Sequence, residues 1–358
     1  MRRSIISLAV AASWVFSSAH AYEPEGGIWW NPQESGTGYA IETQDDMMAV
    51  TIYGGDAAGF AKWYTSVGRL DYRNGAVRFQ ADLLSFHNVQ PIGTTYHGRP
   101  TLEPSHGQLR IDFDPGNNRR ATLIWPNGRS LPIERQEFYL HRPEDTGGVN
   151  SNTLKMLGEW QIVADIASNT NASFPFSADV LVLDDYAYDN HPSLRTWVYE
   201  GCRPDDAQVG GCSNFALNNH DAYGFYEPPS NDFPNGVQVT VLKDGVYGGD
   251  MWYALYEIAI GTNDGSGLFT LYPQGANPYD YDAYPMRAFR SASRTFVQEG
   301  AGPAKLGDDG SGRVAGLASQ LAAQGALPVK AKALSPERAA RAAERLPLIR
   351  AIEARLGD

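Results

Sequence analysis

Cysteine is almost absent from this chain. Cys202 and Cys212 are the only two in 358 residues. With no C-x-x-C pair and no nearby Cys–His cluster, a redox pair or a thiol-ligated metal site is a weak reading. Long apolar runs are missing beyond the N-terminal segment, and nothing there approaches the ~20 residues that a spanning helix needs. Basic charge is also scarce in the body. Residues 22–298 hold 34 Asp+Glu against 18 Lys+Arg, a net of −16, whereas residues 299–358 carry a net of +2. A body without basic patches argues against nucleic acid or anionic lipid as the main partner. There is no G-x-S-x-G elbow, no H-E-x-x-H and no phosphate-cradling loop before a helix. The histidines past the N-terminal segment (His87, His97, His106, His141, His191, His220) are scattered without metal-ligand spacing and read as surface residues. No metal and no cofactor is expected. Paired carboxylates such as Asp184/Asp185 and Asp280/Asp282 leave a carboxylate-dependent hydrolase as a third-ranked idea.

What is present begins with an export pattern. Met1-Arg2-Arg3 is a basic n-region, Ile5 to Phe16 is mostly apolar, and Ala19-His20-Ala21 fits a small-x-small cleavage site. The expectation is a Sec-type signal peptide over 1–21, a chain starting at Tyr22, and a periplasmic or secreted address. In such a compartment Cys202 and Cys212 are expected to pair as a structural staple across a Gly/Pro/Asp loop.

The body reads as short strands of period two. Met48/Val50/Ile52, Val77/Phe79/Ala81/Leu83, Leu109/Ile111/Phe113, Ala121/Leu123/Trp125 and Leu131/Ile133 alternate with polar residues. Gly54-Gly55-Asp56, Arg73-Asn74-Gly75 and Pro126-Asn127-Gly128 punctuate them as turns. A second block is patterned by Trp160/Ile162, Val180/Val182, Val237/Val239/Val241, Trp252/Ala254/Tyr256/Ile258 and Leu268/Thr270/Tyr272. Strands at this spacing, without long helical patterns between them, predict antiparallel barrels. The expected division is a first β-barrel domain over 22–143, a linker over 144–153, a second over 154–299, and an Ala-rich tail over 300–358. In the tail, Ser335-Pro336-Glu337 predicts a helix over about 336–356 with an apolar stripe of Ala342, Leu346, Ile349, Ile352 and Leu356. Pro347 is expected to kink or restart it, and a weaker helix is expected within Arg313–Gln324.

Both blocks open with Gly-x-Trp, at Gly27-Ile28-Trp29 and Gly158-Glu159-Trp160, and both close with arginine. Trp29 is expected to plug one barrel end under Arg135, and Trp160 another under Arg287 or Arg290, by cation–π stacking. A Trp at the start and an Arg at the end, twice over, resembles the calycin pattern of lipocalins and avidins. The chain is therefore expected to be all-β, with two tandem antiparallel calycin-like β-barrels and a short α-helical C-terminal tail.

The longer opening Gly-Ile-Trp-Trp-Asn-Pro-Gln-Glu-Ser-Gly-Thr-Gly, with Lys62-Trp63-Tyr64 and Ile133-Glu134-Arg135 downstream, resembles a domain of exported proteobacterial proteins over roughly residues 27–138. That resemblance implies a fold and export, and no activity. A further likeness, to the first strand of avidins, implies Asn31 and Ser35 as ligand-contacting groups. The competing reading is that Asn31-Pro32 opens a turn and the glycines supply positive φ.

The function expected is an exported, non-enzymatic binding protein that holds a small, partly apolar ligand at an open barrel end. Besides Asn31 and Ser35, its candidate ligand residues are Trp30, Tyr39, Tyr53, Trp63 and Tyr64 in the first block. Trp197, Tyr226 and Tyr253 are those of the second. The alternative is a structural or protein-interaction component of the cell envelope, with the C-terminal helix meeting an envelope partner.

Overall fold

A computed structural model describes residues 23–73, 76–115, 117–140, 148–203, 212, 221–230, 233, 236–298, 317–323, 325, 327 and 336–357. The expected signal peptide, Ser335 and residues 313–316 lie outside the described residues. The described chain is mostly β and divides into two compact units at Gln136/Glu137.

The first unit is a closed antiparallel barrel in the order β1-β10-β9-β8-β5-β4-β3-β2. Its strands are β1 (Gly27–Trp30), β2 (Gly38–Gln44), β3 (Met47–Gly55), β4 (Ala61–Arg73), β5 (Ala76–Asp82), β8 (Gln108–Asp114), β9 (Asn117–Ile124) and β10 (Ser130–Arg135). A separate hairpin, β6 (Phe86–His87) with β7 (Thr101–Leu102), is inserted between β5 and β8. The alternation read in the sequence sets the inside of this barrel. Met48, Val50, Ile52, Val77, Phe79, Leu109, Ile111, Phe113, Leu123, Leu131 and Ile133 form one buried cluster. A single covered face is what a clean period of two encodes.

The second unit is a closed barrel in the order β11 to β18. It comprises β11 (Gly158–Asp165), β12 (Phe176–Asp189), β13 (Thr196–Cys202), β14 (Ala222–Glu227), β15 (Val237–Tyr247), β16 (Asp250–Ile260), β17 (Asp264–Pro273) and β18 (Ala283–Ser293). Here the phase departs from the simple reading on several strands. Val237, Val239, Val241 and Tyr272 are buried on the outer wall, in a cluster with Ile349 and Ile352. The interior is built instead from Leu181, Leu183, Tyr199, Leu242, Tyr256, Phe269 and Leu271. Both faces of β15 are covered, so its apolar alternation does not distinguish inside from outside.

Among the described residues four α-helices accompany this barrel: α1 (Ser151–Leu154), α2 (Arg294–Gln298), α3 (Leu317–Ala323) and α4 (Pro336–Gly357). The helix α4 runs on through Pro347. Its stripe lies on the barrel wall, with Ala342, Ile349, Ile352 and Leu356 buried there. Arg345 is buried beside this stripe and pairs with Glu257 and Glu227. The shorter helix α3 closes one barrel end. Leu317, Ala318 and Leu321 join the interior cluster, and the Asp244 carboxylate accepts the backbone N–H groups of Leu317 (2.7 Å) and Ala318 (2.8 Å). Beneath it, Arg203 pairs with Asp179 and Asp244, and Tyr256 donates to Asp179. Only about 10 Å³ of free space remains beside Leu317, Asp179 and Phe269. Cys202 and Cys212 form a disulfide with a Cα–Cα separation of 5.8 Å, packed on Val182 and Val297.

Candidate functional site

Each barrel buries its opening tryptophan completely. The Trp160 indole donates to the Met156 carbonyl at 2.7 Å, and the Arg290 guanidinium lies 4.2 Å from its ring centroid. Arg290 also donates to the carbonyls of Thr262, Leu157 and Lys155. Of the two arginines the sequence offers, Arg290 therefore holds this place, while Arg287 is exposed on the outer wall. In the first barrel Trp29 donates to the Glu25 carbonyl at 2.9 Å and meets Phe113 edge-on. Arg135 is its partner in register across β1 and β10. The Arg135 guanidinium is bonded to the carbonyls of Gly26 (2.8 Å), Ile28 (3.1 Å) and Gln136 (2.6 Å). Gly27 makes room for it, since a Cβ there would stand 2.3 Å from Nη2.

The opposite end of the first barrel is open. A cavity of about 550 Å³ is walled by Ile52, Tyr64, Leu83 and Trp125. Its rim is made by Thr37, His106, Pro126, Asn127 and Arg129. Gly54 and Gly55, read in the sequence as a turn, lie instead inside β3 and line the cavity. Gly54 follows Ile52 at period two and faces inward, where a Cβ would find its nearest atom 4.0 Å away. The side chain missing at Gly54 is part of the open space.

A polar cluster borders this cavity. The fully buried Ser85 hydroxyl donates to the Glu103 carboxylate and lies 2.7 Å from His106 Nε2. Glu103 also accepts from Lys62 at 2.6 Å, and the Tyr64 ring meets His106 edge-on at 5.3 Å. The hydrogen bonds from Lys62 and Ser85 hold Glu103 below the usual carboxylate range, and the same bond raises Lys62. On the rim, Arg129 Nη2 reaches both carboxylate oxygens of Glu34 at 2.7 Å. Within the wall Tyr39 is buried beside Trp125. Burial, then the nearby Glu34 charge, pushes its hydroxyl up to about 12.

Of the aromatic ligand candidates, Tyr64 lines the cavity and Tyr39 packs behind it. Trp30, Tyr53 and Trp63 do not. They face outward, aligned in register across β1 to β4 through Gly38, with Tyr53 and Trp63 edge to face at 5.4 Å. Asn31 is a turn residue: its Oδ1 accepts from the Gln33 backbone N–H and its carbonyl from that of Glu34. Ser35 is exposed at the turn. In the second unit Trp197 packs with Tyr186 and Tyr188 on the β12–β13 hairpin. Tyr226 lies over Gly236, and Tyr253 is buried under α4, stacked on Tyr272. Ser85, Glu103 and Arg129 were not singled out in the sequence, where His106 was read as a surface residue and Trp125 as a strand position. They are brought together by barrel closure and the inserted hairpin, across separations that no local spacing reports.

Among the described residues no group of three His, Cys, Asp or Glu side chains is placed to hold a metal. The described helices include none long and apolar enough to cross a membrane. No family model matches the chain, and neither a curated protein nor a solved structure matches it.

Proposed function

We propose that the first barrel is a binding module that holds a small, partly apolar molecule in the cavity at its open end. The supporting observation is the contrast between two barrels of the same strand number. One has its far end stoppered by α3, and the other keeps about 550 Å³ free behind Tyr64 and Trp125. That volume falls in the range of small-molecule sites, and apolar walls with a few polar rim groups are their usual lining. The Ser85 hydroxyl is buried and already bonded to a carboxylate, a poor arrangement for a nucleophile. Binding without turnover is the simpler reading.

We also propose export to the periplasm or the medium, supported by the Met1–Ala21 pattern and by a disulfide that suits an oxidising compartment. N-terminal sequencing of the protein from its native host should begin at Tyr22. A retained Met1 would contradict export by cleavage.

The binding test is native mass spectrometry of the full chain beside a Gly54→Leu variant, whose side chain fills the cavity from within. The expected result is a co-purified or added small molecule on the wild type, lost from a variant that still melts cooperatively. Equal retention by both would remove the cavity from consideration.

A second reading, an interaction component of the envelope, is favoured by the outward aromatic row. Tyr53 and Trp63 are 39% and 66% exposed. Retention on isolated envelope material that falls on Tyr53→Ser/Trp63→Ser substitution, with cavity binding intact, would support it. A partner meeting α4 would need its outer face, since the apolar stripe is covered by the barrel.

A further inference from the structure

His106 is held in a way that selects one ring nitrogen. Ser85 has a single hydroxyl proton, and its bond to Glu103 commits that proton, because an ionised carboxylate can only accept. Lys62 keeps that carboxylate ionised through its own hydrogen bond. Ser85 Oγ can then only accept from His106, so Nε2 at 2.7 Å must carry hydrogen. In the neutral ring this leaves Nδ1 as a lone-pair acceptor, on a residue that lines the cavity. The chain Lys62–Glu103–Ser85–His106 thus works as a positioning relay, with Ser85 between acid and imidazole.

The charges around the mouth are matched in pairs. Lys62 is met by Glu103, and Arg129 by Glu34. His87 Nδ1 and His106 Nε2 each also lie 3.9 Å from a Glu103 carboxylate oxygen. A ligand bearing net charge would have to compete with these pairs, whereas a neutral one need not. The Tyr64 and Trp125 rings offer flat apolar surface.

We propose that the cavity selects a neutral, flat aromatic molecule carrying a hydroxyl or N–H donor, of the phenol class, which donates to His106 Nδ1. This rests on the binding reading above and names the ligand chemistry for the same cavity.

Equilibrium dialysis of the full chain with 2-naphthol, 2-methoxynaphthalene and naphthalene tests it. A hydrogen bond to His106 Nδ1 on the cavity rim should favour 2-naphthol over its methyl ether by about tenfold. It should also bind tighter than the more apolar naphthalene. In His106→Phe the ratio of naphthol to ether should collapse to about twofold or less. Nitrogen-15 NMR of the imidazole in mildly alkaline buffer should report the Nε2–H tautomer, and Ser85→Ala should release it into a mixture. If all three probes bind alike, or if the ring is Nδ1–H, the ligand class is wrong while the cavity stands as a binding site. If none binds, the ligand class is wrong, and the native mass spectra of wild type and Gly54→Leu decide the binding reading on their own.

Discussion

At the residue scale, a few side chains fix the barrel ends, and their substitution should separate cleanly. Arg290 joins a cation–π stack to three carbonyl bonds, so Arg290→Ala should cost about 3 kcal/mol in urea unfolding. Arg287→Ala, on the outer wall, should cost about 0.5 kcal/mol or less. Gly27 combines φ +121° with the close Arg135 guanidinium, and Gly36 has φ +96° with open space around it. Alanine at Gly27 should therefore cost about 3 kcal/mol and at Gly36 about 1 kcal/mol. Tyr39 makes a pH prediction. Its neutral form is favoured in the fold and its hydroxyl is pushed up to about 12. The unfolded chain loses that proton near the ordinary tyrosine value of about 10. The stability that Tyr39 contributes is thus complete below about 10 and lost as pH rises towards about 12. Tyr39→Phe should flatten that alkaline loss in thermal melts, and an unchanged slope would contradict the assignment.

At the scale of elements, the second barrel depends on its tail. Arg345 lies buried between Glu257 and Glu227. Truncating it removes the guanidinium that faces the buried Glu257 carboxylate, so Arg345→Ala should cost about 3–5 kcal/mol. The helix α3 is held at its start by Asp244, so Asp244→Asn should speed amide exchange over Leu317–Ala323. Exchange no faster than wild type would show that α3 is held by apolar packing alone.

The same elements explain what could be read in advance. The strands of the first barrel were legible because one face is covered, so Met48/Val50/Ile52 alternate and point inward. The strand β15 was legible as a strand but not in its phase, because α4 covers Val237/Val239/Val241 from outside. The stripe of α4 was visible, and its address was not. Gly54-Gly55 shows the limit most plainly. Glycine marks turns often enough to hide a pair that serves to leave a strand without side chains. The relay of Ser85, Glu103 and His106 left no local signal, since an inserted hairpin and a strand contact assemble it.

At the scale of the molecule, two barrels of one strand number differ in how their ends are closed. The second is filled by its own chain: Trp160 under Arg290 at one end, α3 at the other, and α4 along the wall. The first is closed by Trp29 on one side only. That asymmetry is the central claim, and a nitrogen-15 correlation spectrum of the full chain titrated with 2-naphthol tests it most directly. The account predicts saturable shifts at Thr37, Gly54, Tyr64, His106 and Trp125, with the second barrel silent. Shifts centred on Trp30, Tyr53 and Trp63, or on the second barrel, would contradict it.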